Sequence, residues 1–150
     1  MKKTAIFLIL LLSTFCANAQ GLVFSEEEKA ENEIQIHQMV NYLQETLNFI
    51  GDPKVSAQEK DIIFKESYIK IFRDENVQVE DDLDENRGTS INKDVQAYLK
   101  DIDFFFENVS FEFEIQNIMP QLNEMSEPFF KVEMIRTIAG RNIIGDTINN

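Results

Sequence analysis

The chain has 150 residues, 43% of them apolar with thirteen Phe, and carries 14 Lys+Arg against 27 Asp+Glu for a formal charge of −13. That apolar fraction argues against a wholly disordered chain. The acidic excess, with no basic stripe to offset it, argues against binding nucleic acid or anionic lipid headgroups.

The first residues read as an export signal. Lys2 and Lys3 are a short positive segment, Ile6 to Leu12 an aliphatic run, and Ala17-Asn18-Ala19 a small-x-small site before Gln20. That order is a secretory signal peptide, and the run is far shorter than the roughly 20 residues a bilayer span requires. A lipoprotein site needs a small residue before its cysteine, whereas Phe15 precedes Cys16. The expectation is a leader over 1–19 and a single domain over 20–150, exported to the periplasm, cell surface or medium, with no integral membrane segment after cleavage. Cys16 is the sole cysteine and leaves with the leader, which removes disulfide and thiolate chemistry from the mature chain. Loss of Lys2 and Lys3 leaves 12 cationic side chains against 27 acidic ones, a charge of about −15.

After a short lead-in, Gly21 to Ser25, the positions Ile36, Met39, Val40, Leu43, Leu47 and Ile50 recur at three- and four-residue steps. They draw one face of a helix over Glu26–Ile50. Glu26, Glu27 and Glu28 suit the positive end of its dipole, and Gly51 with Pro53 stops it. Ser56-Ala57-Gln58-Glu59 is a capping box that opens a second helix, running to about Ile69. Val77 and Val79 alternate with polar neighbours as a short strand, and Asp81 to Gly88 is an acidic loop. A third helix from about Lys93 carries Val95, Tyr98, Leu99, Ile102, Phe105 and Phe106 on one side. Val109, Phe111, Phe113 and Ile115 then alternate with polar residues, a strand with one buried face. Pro120 to Pro128 reads as a connector, Phe130 to about Ile138 as a second long strand, Ala139 to Asn142 as a turn, and Ile143-Ile144 as the start of a third piece. Helices followed by consecutive strands give an α+β fold: three N-terminal helices packed on a curved antiparallel sheet.

Few chemical motifs survive inspection. A calcium loop starting at Asp82 would need glycine at its sixth place and glutamate at its twelfth, where Arg87 and Lys93 stand. His37 is the only histidine, so there is no HExxH pair and no His-rich zinc site. Asn108-Val109-Ser110 has the form of an N-glycosylation sequon. GxSxG, CxxC and a phosphate-cradling glycine loop are all missing from the sequence, which assigns no catalytic, cofactor-binding or metal-binding residue.

Two helices, a short strand, a helix ending in Asp103-Phe104-Phe105-Phe106 and then long strands is an order that resembles the nuclear transport factor 2-like, cystatin-like cone fold. The stretch from Asp94 to Phe105, with Val79-Glu80-Asp81-Asp82 and the closing Gly145 to Asn150, resembles N-terminal modules of exported Bacteroidota proteins. The resemblance covers most of 27–150 and implies a cone-like domain that closes with further strands. The closing stretch reads as a turn with no strand after it, so the domain is expected to be incomplete at its C-terminus. It also implies that a cone-fold enzyme would pair His37 or Tyr42 with Asp101 or Asp103 in the cone interior, and that Asp146-Thr147-Ile148 is similar to an O-glycosylation acceptor of such exported proteins. The leading expectation is an exported, non-catalytic binding or assembly module of the cell envelope, standing alone or as the N-terminal part of a larger protein, whose partner is protein. The alternative is a small cone-fold enzyme or ligand binder using an interior pocket.

Overall fold

A computed structural model describes residues 24–83 and 88–149. The expected leader with Cys16, and residues 84–87 of the acidic loop, lie outside the described residues.

Helix α1 spans Glu26–Gly51. Ser25 caps it, its hydroxyl accepting from the Glu28 amide while the Glu28 carboxylate accepts from the Ser25 amide. This box answers two of the amides that every helix start leaves open. Helix α2, Ala57–Lys65, opens on the box read at Ser56 and Glu59. It ends earlier than expected: Ser67–Lys70 forms a separate 3-10 turn. β1 (Gln78–Glu80) pairs antiparallel with β2 (Asn92–Asp94), and α3 follows at once over Val95–Phe105. β3 (Phe106–Leu122) and β4 (Pro128–Asn142) make a long hairpin, and β5 (Thr147–Asn149) adds to the end of β4.

Among the described residues the fold is therefore α+β, with three α-helices and two small antiparallel sheets rather than one. The three-stranded sheet, ordered β3-β4-β5, neither closes nor curls, so the expected curved, cone-like sheet is not formed. Three local expectations are also corrected. The connector read over Pro120–Pro128 narrows to residues 123–127, because Pro128 is the first residue of β4 and Pro120 lies on the side of β3 that β4 does not use. Asn123 donates to the Glu127 carbonyl at 2.9 Å, which sets alternate residues 119, 121 and 123 toward β4 and turns Pro120 outward, where a missing N–H costs no ladder bond. Ile143-Ile144 belongs to a turn rather than to a strand. The closing stretch read as a turn contains β5.

The core gathers Leu47 and Ile50 of α1, Phe64, Tyr68, then Val95, Tyr98, Leu99 and Ile102 of α3 against Val109, Phe111 and Ile138 of the hairpin. Phe105, placed by its spacing on the apolar side of the third helix, is 44% exposed, whereas Val95, Leu99 and Ile102 of that helix are fully buried.

Helix α1 runs along the outer side of β3 and closes it chemically. Asn48 Nδ2 donates to the Phe111 carbonyl at 3.1 Å, and its Oδ1 accepts from the Phe111 amide at 2.6 Å. Gln44 Oε1 accepts from the Phe113 amide at 2.8 Å. One turn further on, a Cβ on Gly51 would lie 2.2 Å from the Val109 carbonyl oxygen, so only glycine allows the helix end to sit against the strand. The geometry works because a helical turn rises about 5.4 Å and two strand residues advance about 6.6 Å, so successive turns meet successive outward-facing residues of β3. Side-chain amides take the place of a neighbouring strand until the register shift at Ile115/Asn117. At the far end Phe24, just before α1, lies 4.7 Å from Phe130 between ring centroids.

Candidate functional site

A polar cluster ties the two sheets together. Lys93, at the middle of β2, reaches Asp81 at 2.7 Å and Asp101 of α3. The Asp81 side chain is 2% exposed, so its charge is buried with its counterion. Asp101 and then Asp81 hold the Lys93 ammonium above the ordinary lysine range. Next to this group, the Tyr98 hydroxyl donates to Asp82 at 3.0 Å, and Arg136 of β4 forms an ion pair with the same carboxylate. Burial, and next the charge of Asp82, push the Tyr98 phenol well above its usual range. The phenol is a neutral donor here, not a base.

The residues considered for proton transfer are not assembled. His37 is exposed on α1, and Tyr42 is half-buried on the same helix. Asp101 is bound by Lys93, while Asp103 accepts from the buried Lys60 at 2.7 Å. Each acid is thus engaged by a lysine from another element, and neither lysine pair includes His37 or Tyr42. Asp82, where a calcium loop would start, is likewise occupied by Arg136 and Tyr98. Among the described residues no group of three or more His, Cys, Asp or Glu is placed to hold a metal ion, and no helix is long and apolar enough to cross a membrane. The chemistry this cluster performs is bracing: it fixes β2, α3 and β4 to one another.

An open depression lined by Gln44, Ser110, Phe111, Glu112, Thr137 and Ala139 lies on the polar side of the hairpin next to α1. Of the sequon, Asn108 is exposed on β3 and the Ser110 hydroxyl donates to the Ala139 carbonyl at 3.1 Å.

The outer flank of β4 is the feature that sequence reasoning missed. Phe111 and Phe113 direct their backbone groups to α1, so residues 110, 112 and 114 face β4, and their register partners Ala139, Thr137 and Ile135 face β3. Alternate residues from Pro128 to Ile138 therefore point their backbone groups away from β3. β5 pairs only with Ala139, Gly140 and Arg141. Among the described residues no strand pairs with the flank from Pro128 to Ile138. Apolar side chains crowd it: Ile135 is 54% exposed, Phe129 40% and Met134 39%. The signal available in the sequence was the alternation from Phe129 to Ile138, which marks a strand but not how many neighbours it has.

Comparison with protein-family models, with curated proteins and with solved structures returned no match.

Proposed function

We propose that this chain is an exported, non-catalytic binding or assembly module of the cell envelope that works through its β3–β4 hairpin. The single observation that carries the reading is the asymmetry of that hairpin. Its β3 side is sealed by the amides of Gln44 and Asn48, while its β4 side has no strand beside it among the described residues from Pro128 to Ile138 and carries exposed Phe129, Met134 and Ile135. An exposed apolar strand with unpaired backbone is a template for another strand. The leader over 1–19 supports export, and the element order supports a likeness to nuclear transport factor 2-like modules, although the sheet does not curl into their cone.

The enzyme reading asks for an enclosed pocket with converging polar groups. The acids considered for that role, Asp101 and Asp103, are each bound by a lysine from another element, which favours the module instead. The test places a photo-crosslinking side chain at Ile135 or Met125 on the hairpin and at Glu31 on α1 as a control, in cells expressing the full chain. Covalent adducts from the hairpin positions, with the processed protein beginning at Gln20, are the expected result. Adduct yields at Ile135 and Met125 no higher than at Glu31 would refute it.

A further inference from the structure

We propose that the open flank of β4 pairs with the same flank of a second copy of this chain, antiparallel about a two-fold axis through Val132. The inference deepens the assembly reading and rests on it, by naming the partner. Two-fold pairing is self-complementary, so each register can be tested against the residues it brings face to face.

Only registers that oppose two outward-facing residues form ladder bonds, and on β4 these are 128, 130, 132, 134, 136 and 138. An axis at Lys131 would oppose two ammonium groups, and an axis at Glu133 two carboxylates, both unfavourable. An axis at Met134 would set Glu133 against Ile135 and leave Lys131 facing Thr137. The axis at Val132 sets Lys131 opposite the second copy's Glu133, twice by symmetry. On the same face it sets Phe129 opposite the second copy's Ile135. On the other face it sets Phe130 opposite Met134 and Val132 opposite itself.

The register thus matches charge with countercharge and covers the apolar side chains left exposed in one copy. Within one copy Lys131 and Glu133 already lie 2.7 Å apart on one face, so pairing builds a ring of four alternating charges. The pairs run from Pro128 to Arg136 and stop before Ala139, where β5 occupies the flank. Lysine and proline on a strand flank commonly discourage pairing. Here Lys131 meets a carboxylate, and Pro128 needs only its carbonyl to accept from the Arg136 amide. Long-range repulsion between two acidic copies is screened beyond about 8 Å at physiological ionic strength.

Sedimentation equilibrium on the purified processed protein tests this with charge reversal. Lys131→Glu and Glu133→Lys each oppose like charges at both symmetric positions, so each should weaken dimerisation by about tenfold or more. An equimolar mixture of the two single variants should dimerise again, because each then meets its complement; so should the double variant carrying both changes. Both side chains are about half exposed, at 50% and 45%, so circular dichroism should report an unchanged fold. A protein that stays monomeric up to its solubility limit, or a dimer indifferent to both reversals, would overturn the proposal. Hairpin adducts to a different protein in cells would leave the broader assembly reading standing while this one fails.

Discussion

Asn48→Ala is expected to be among the most costly polar substitutions in the protein, although Asn48 lies on an exposed-looking face of α1 in the sequence. Its amide satisfies both the N–H and the C=O of Phe111, a residue only 2% exposed. Two buried backbone groups left without partners cost about 1–3 kcal/mol each, so the expected loss is about 2–6 kcal/mol. Against a total stability of about 5–15 kcal/mol for a domain this is a large fraction. Two neighbours set the scale. Gln44→Ala removes one bond, to the half-buried Phe113 amide, and should cost about 1 kcal/mol. Asn41→Ala removes only a surface amide bond to Glu45 and should fall within about 0.5 kcal/mol of the parent protein. Urea unfolding followed by far-UV circular dichroism gives all three, with the midpoint shifting and the slope unchanged. An Asn48→Ala cost no larger than that of Asn41→Ala would refute the idea that side-chain amides stand in for a strand beside β3.

Three further expectations follow from the same packing. Gly51→Ala should destabilise by about 1–3 kcal/mol in chemical denaturation even though alanine favours helix, because the new methyl meets the Val109 carbonyl oxygen at 2.2 Å. Lys93→Met withdraws the ammonium shared by Asp81 and Asp101 and should cost about 3–5 kcal/mol at neutral pH, read as a fall in thermal midpoint. Tyr98 and Lys93 both have folded-state pKa values raised above their ordinary ones. The unfolded chain then loses these protons first, so their stabilisation is complete below about pH 10 and is lost as pH rises through the folded values. Thermal midpoints measured from pH 8 to 11 should fall at the alkaline end, and Tyr98→Phe should flatten that fall while lowering the midpoint at pH 8.

How much of this was legible depends on the kind of interaction. Apolar spacing located α1, α3 and the hairpin strands, because Leu47, Ile50, Leu99, Ile102 and Phe111 are where their periods place them. The capping box at Ser56 is local and was readable as such. β2 was not, since Asn92-Lys93-Asp94 has no apolar alternation. Its pairing is held from outside, by the Asp81 amide on the Ile91 carbonyl at 2.8 Å and the Val95 amide on the Val77 carbonyl at 3.0 Å. Pro120 and Pro128 looked like the bounds of a connector, yet a proline that faces outward or begins a strand costs no ladder bond. The roles of Gln44 and Asn48 were hidden because they depend on contacts 69 and 63 residues away. In hindsight, two amides four residues apart beside the stripe of Leu43 and Leu47 were the available sign.

The polar cluster teaches a related point about site residues. Asp101, Asp103 and Tyr98 are the side chains one would recruit for proton transfer, and all three already have partners: Lys93, Lys60 and Asp82. Such pairings are invisible in the sequence because each joins different elements. They also explain why α3 can connect both sheets: Asp101 and Tyr98 project from it toward β2 and toward the Asp82 to which Arg136 is tied.

The most direct measurement rests on the proposal that Cys16 leaves with the leader. Val132→Cys would carry the single thiol of the processed chain, placed on the proposed axis, where opposed Cα atoms of a hydrogen-bonded pair stand about 5.5 Å apart, within disulfide range. Non-reducing electrophoresis of envelope fractions from cells expressing the full chain should show a reducible dimer for Val132→Cys and only monomer for Glu31→Cys. A Val132→Cys protein that remains monomeric in an oxidising envelope compartment, or that fails to reach it, would contradict the account.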